Sequence, residues 1–117
     1  MKIIIGCDHG GFELKGIIKK HLEDKGYEVE DAGSYSADRV DYPDYAKKVG
    51  EAVAAGKAEQ GILICGTGLG MSIAANKIHG IRAAVCSDCY SAEKAREHNN
   101  ANVLCLGARV LGSGLAE

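Results

Sequence analysis

The stretch Ile62-Leu63-Ile64-Cys65-Gly66-Thr67-Gly68-Leu69-Gly70 puts a thiol at the end of an apolar run and at the start of a glycine-rich turn. A helix-forming segment follows, so the turn offers successive backbone N–H groups at a helix N-terminus, where anions bind. The same field favours a thiolate over a thiol, which suits a base or a nucleophile. Position alone leaves a second reading open, a buried cysteine at a strand end. The loop is not a dinucleotide fingerprint. Met71 stands where the third glycine of G-x-G-x-x-G belongs, although an acid, Asp88, follows roughly twenty residues on. No Lys-Ser or Lys-Thr pair follows, so it is not a P-loop either.

A second reactive stretch is Asp8-His9-Gly10-Gly11, which follows another apolar run. Asp8 suits a helix cap or a ligand contact, and paired glycines allow both a tight turn and close approach of a ligand. His98-Asn99-Asn100 closes a helical segment, where His suits the C-terminus and Asn the left-handed cap. Arg109 follows the last apolar run, at a place for an anion-binding cation or an ordinary surface arginine. Cys86 and Cys89 form C-x-x-C, but no second pair has zinc spacing, so no metal is expected. The five cysteines are an odd number and read as reduced thiols of a cytoplasmic chain. Most of those in apolar runs read as small buried hydrophobes.

The elements that must carry these residues alternate along the chain. Apolar runs at 2–7, 27–31, 61–65, 81–86 and 102–106 read as strands. Segments 12–25, 45–55, 70–78 and 91–98 have helical spacing; in the first, the apolar positions are 12, 14, 17, 18 and 22. Residues 32–43 are polar and turn-rich, and 110–117 reads as the start of a further helix. Five strands separated by helices predict a parallel five-stranded sheet in a three-layer α/β/α sandwich, Rossmann-like, forming one domain over 1–117. Ligands bind at the carboxyl ends of such strands. The residues expected there are Asp8 to Gly11, Gly66 to Gly68, Ser87-Asp88 and Gly107 to Arg109. Net charge is −2 with no basic stripe, which argues against nucleic acid as a partner. No apolar run is long enough to span a membrane, and the N-terminus does not read as a signal peptide.

Taken in order, "GCDHGGFELK", "DYPDYA", "GILICGTGLGMSIAANKIHGIRAAVC" and "REHNNANVLCLGARV" resemble the ribose-5-phosphate isomerase B family, which also contains the galactose-6-phosphate isomerase subunits. The resemblance covers essentially the whole chain. It implies cofactor-free isomerisation of ribose 5-phosphate to ribulose 5-phosphate through a 1,2-enediolate. On this resemblance Cys65 shuttles the proton, while the N–H groups of Gly66, Thr67, Gly68, Leu69 and Gly70, with the Thr67 hydroxyl, hold the oxyanion. His98 opens the furanose ring, with Asp8 assisting at the sugar hydroxyls. His9 and Arg109 bind phosphate; Asn99 and Tyr42 contact the sugar. The family's sites lie between subunits of a homodimer or dimer of dimers, so His98, Asn99, Arg109 and Tyr42 are expected from the partner. Family members run beyond Glu117, which implies a shortened chain lacking a C-terminal helical segment and its phosphate-binding arginines. Rival readings are an isomerase of a six-carbon phosphosugar such as galactose 6-phosphate or allose 6-phosphate, a non-catalytic phosphosugar-binding domain, and a dinucleotide module.

Overall fold

The computed structural model describes residues 1–36 and 38–117; Ala37, within the polar segment expected over 32–43, lies outside them. Five strands form one parallel sheet: β1 (Lys2–Cys7), β2 (Glu28–Asp31), β3 (Gln60–Cys65), β4 (Ala83–Val85) and β5 (Val103–Gly107). Their spatial order is β2-β1-β3-β5-β4. The helices are α1 (Phe12–Asp24), α2 (Tyr42–Ala54), α3 (Leu69–Asn76), α4 (Cys89–Asn99) and the single turn α5 (Ser113–Ala116). A 3-10 turn, His9–Gly11, leads into α1.

The central strands are apolar on both faces because helices cover both. On one face Ile4, Leu63, Val103 and Cys105 pack under α2 and α3, through Val49, Met71 and Ala75. On the other, Ile3, Ile5, Ile62, Ile64 and Leu106 pack with Leu14 and Ile18 of α1. This is the expected three-layer sandwich.

Several boundaries differ from expectation. α2 begins at Tyr42 rather than 45, because Pro43 sits in its first turn, where a missing N–H costs nothing. α4 begins at Cys89 because Asp88 caps it, its side chain accepting the Ser91 N–H at 2.6 Å. In α1 the buried positions are Leu14, Lys15 and Ile18, while Ile17 is 40% exposed. A charged residue thus takes the inward place expected of Ile17. α4 buries none of its residues.

The crevice that matters lies between β1 and β3. From β1 the chain crosses to β2 on one side, then returns to place β3 on the other, so the two loops that follow these strands diverge and leave a gap. Cys7 pairs with Ile64, and the Asp8 N–H donates to the Ile64 carbonyl at 3.2 Å. A methyl group added at Gly11 would stand 2.5 Å from the Ile64 carbonyl oxygen, whereas one at Gly16 on the outer side of α1 meets nothing within 4 Å. Gly11→Ala is therefore expected to lose about 1–3 kcal/mol in urea unfolding. Gly16→Ala is expected to gain about 0.5–1 kcal/mol, since only helix propensity changes there.

Candidate active site

Cys65 ends β3 and is 6% exposed. The chain then turns through Gly66 and Thr67 to Gly68, whose φ of +85° a side chain would strain. That turn brings the Gly68 N–H to 3.1 Å from the Cys65 sulfur. The Leu69 N–H donates to the Thr67 hydroxyl at 3.2 Å. These two N–H groups are therefore committed inside the loop, which corrects the expectation that the whole run from Gly66 to Gly70 faces an oxyanion. Among the described residues, Gly66, Thr67 and Gly70 give their N–H groups to no protein acceptor. Thr67 is exposed, and its hydroxyl, already an acceptor, keeps its own proton to give.

The surroundings are built by backbone contact. A methyl at Gly107 would lie 2.6 Å from the Thr67 carbonyl oxygen, so the end of β5 supports the loop directly. A methyl at Gly70 would lie 2.8 Å from the Tyr42 ring, which gives that glycine a packing reason unrelated to dinucleotides. Across the crevice Asp8 is buried, and one carboxylate oxygen accepts the N–H groups of Gly10 (2.9 Å) and Gly11 (3.2 Å). Its capping role is therefore real. His9 accepts the Val40 N–H at Nδ1, 3.4 Å away. Arg109 donates its backbone N–H to the Gly66 carbonyl at 3.0 Å, and its side chain runs beside Gly66.

Asp8, His9, Tyr42, Cys65, the Gly66–Gly70 loop and Arg109 thus gather at one end of the sheet within one chain. Tyr42 and Arg109 stand beside Gly70 and Gly66 of the same chain. His98 and Asn99 are not among the gathered residues. α4 starts at the carboxyl end of β4 and runs back antiparallel for eleven residues, about 16 Å. Its last residues therefore lie at the amino ends of the strands, where Asn102 bonds Arg82 and Gly80. Asn100, with φ of +50°, is the left-handed cap. Lys15, which the sequence reading passed over, is 3% exposed and bonded to Asp31 and Ser34.

All five cysteines are free; Cys89 is exposed and the others buried. Burial pushes the Cys7 thiol up, partly offset by the Ser34 hydrogen bond and Lys15, and burial with Asp88 pushes Cys86 up. Cys105 is pushed up to about 12, mainly by burial and then by Cys65 and Cys86. Among the described residues no group of three or more His, Cys, Asp or Glu could hold a metal ion.

A strand-end thiol beside a glycine loop, at the point where an open parallel sheet divides, lies at the ligand-binding edge of an α/β fold. The chain matches the Ribose/Galactose Isomerase family over residues 3–117 and belongs to it. It is 58% identical to ribose-5-phosphate isomerase B of Escherichia coli over 116 residues, 99% of this chain and 78% of that one. A solved ribose-5-phosphate isomerase B from Clostridium thermocellum superposes with TM-score 0.98 at 59% identity, covering 99% of this chain and 78% of that one. The enzyme from Thermotoga maritima gives 0.97 at 57% identity, covering 98% and 79%.

The raised thiols carry a stability consequence. Above pH 9 the unfolded chain releases the Cys105 proton, while the native chain keeps it until about 12. Stability therefore falls as pH rises through that window, by about 1 kcal/mol per pH unit for this group. Urea midpoints measured from roughly pH 9 to 11 are expected to fall less steeply in Cys105→Ala than in the wild type.

Proposed function

We propose that this chain is an aldose–ketose isomerase interconverting ribose 5-phosphate and ribulose 5-phosphate. The observation that carries the mechanism is the Gly68 N–H directed at the Cys65 sulfur beside unclaimed N–H donors. Cys65 as thiolate takes the proton from C2 of the open-chain sugar. The C1 carbonyl π pair moves onto O1 as the C1–C2 double bond forms. Gly66, Thr67 and Gly70 N–H groups, with the Thr67 hydroxyl, stabilise that oxygen; deleting one such donor typically costs about 3–4 kcal/mol. The O2 hydroxyl proton passes to O1, the C2 carbonyl forms, and Cys65 returns its proton to C1. Every step is proton transfer, so the scheme calls on no cofactor. His9 and Arg109 flank the crevice and serve the phosphate. Asp8 and Tyr42 serve the sugar.

Opening the furanose ring needs an acid–base group near the ring oxygen. His98 is the candidate, and within one chain it sits at the far end of the sheet. The reading therefore includes a homodimer in which His98 and Asn99 of each subunit complete the partner's site. Free thiols and cofactor-free sugar phosphate chemistry fit a cytoplasmic enzyme.

Proton NMR of ribose 5-phosphate in D₂O tests the reaction: ribulose 5-phosphate should appear with deuterium at the exchanged carbon. Cys65→Ala should lose about 10²–10⁴-fold in kcat with the fold intact. An active Cys65→Ala, or conversion of six-carbon phosphosugars only, overturns the assignment, and binding without turnover points to a non-catalytic phosphosugar domain.

Mixing tests the sharing. Equal amounts of Cys65→Ala and His98→Ala, each inactive alone, should recover about a quarter of wild-type activity on subunit exchange in a two-fold dimer. No recovery after demonstrated exchange would place both residues in one chain's site.

A further inference from the structure

Lys15 is a buried ammonium that the isomerase mechanism does not use. It lies on the inward side of α1, where an apolar residue would suffice for packing. An ammonium out of water is tolerated only when its donors are taken. Here the acceptors come from Asp31, the last residue of β2, and from the segment that follows it. Lys15 Nζ donates to an Asp31 carboxylate oxygen at 2.8 Å and to the Ser34 carbonyl. The same Asp31 oxygen accepts the Gly33 N–H at 2.9 Å. The Tyr35 hydroxyl donates to the Asp31 carbonyl at 2.8 Å, and its ring covers the ammonium at 5.3 Å, as Phe12 does at 5.4 Å. That contact explains why a tyrosine 72% exposed is held in place.

The clamp continues toward the crevice. Ser34 is tied to β1 through its N–H to the Cys7 carbonyl, and the Cys7 N–H returns to the Gly33 carbonyl. The Ser34 hydroxyl donates to the Ser36 carbonyl at 3.2 Å, and the Asp38 N–H to the Ser36 hydroxyl at 3.3 Å. Two residues on, the Val40 N–H meets His9 Nδ1. A neutral imidazole has one acceptor nitrogen and one donor nitrogen. An N–H aimed at Nδ1 makes that atom the acceptor and leaves the proton on Nε2.

We propose that Lys15 is a positioning residue that clamps the connection after β2 so that Val40 holds His9 as its Nε2–H tautomer, a fixed donor for an anionic oxygen. The identity of that anion as the substrate phosphate rests on the isomerase reading; the tautomer does not. The experiment uses the 117-residue chain with Lys15→Met, Lys15→Arg and Val40→Pro, the last removing the N–H that faces His9. Long-range proton–nitrogen NMR of the neutral His9 ring reads the tautomer without substrate. The wild type and Lys15→Arg should show Nε2–H alone, and Lys15→Met and Val40→Pro a mixture of both tautomers. With ribose 5-phosphate, the two disrupting variants should raise KM about tenfold or more, with kcat within about threefold. A His9 that stays wholly Nε2–H in folded Lys15→Met or Val40→Pro overturns the proposal, as does a parallel fall of kcat without a KM change. If Lys15→Met fails to fold, Asp31→Asn, which breaks the same ion pair, takes its place. A wild type that turns over no ribose 5-phosphate removes the isomerase reading and leaves the tautomer comparison to decide this one.

Discussion

The side-by-side parallel pairing of β1 and β3 is the constraint on which the rest depends. It is made at the centre of the sheet by residues that are nearly all buried, from Ile3 opposite Gln60 to Cys7 opposite Ile64. Because the chain leaves these two strands in opposite directions, their following loops stay close at the root and part above it. Asp8 to Gly11 come from one loop and Cys65 to Gly70 from the other. Gly11 has no Cβ because the Ile64 carbonyl occupies that space, and Gly107 has none because the Thr67 carbonyl does. Glycines here are the means by which the backbones that follow β1 and end β5 come within contact distance of the end of β3 and its loop.

The chemical individuality of Cys65 follows from that backbone. Cys7, Cys86 and Cys105 are buried thiols whose surroundings oppose ionisation. Cys65 shares their burial and packs in the same core cluster as Cys105, but the turn that follows β3 brings a backbone N–H to its sulfur. The left-handed glycine at 68 rotates one peptide so that its N–H points at the sulfur, while among the described residues those of Gly66, Thr67 and Gly70 stay uncommitted. A single φ value thus gives one buried cysteine a backbone N–H donor at its sulfur.

Much of this was legible in the residues. Five apolar runs separated by helical spacing were enough for the layered parallel sheet, and the expected carboxyl-edge residues lie there. The gathering of Asp8, His9, Cys65 and Arg109 follows from topology once the strands are recognised. What escaped notice has local physical causes. Pro43 in a first helical turn looks like loop punctuation, so α2 was read three residues late. Lys15 looks like a solvent-facing charge, and Ile17 like core. The available signal was that 15 falls on the stripe joining 11, 14 and 18, where a lysine needs acceptors from elsewhere in the chain. Sequence spacing alone does not say which acceptors, since Asp31 and Ser34 arrive from across β2. The separation of His98 from Cys65 was available from handedness and direction, because a helix returning between parallel strands must end opposite the edge where it began.

α4 is held differently from α1, α2 and α3: it contributes no buried residue. Its ends are secured by polar contacts: Asp88 to Ser91 at one, and Arg96 to the Ala101 carbonyl and Asn102 to Gly80 and Arg82 at the other. An element with little buried apolar area opens at a small part of the free energy needed to unfold the whole chain. The fold therefore keeps its thiol in the buried sheet and carries His98 on a helix with no buried residue.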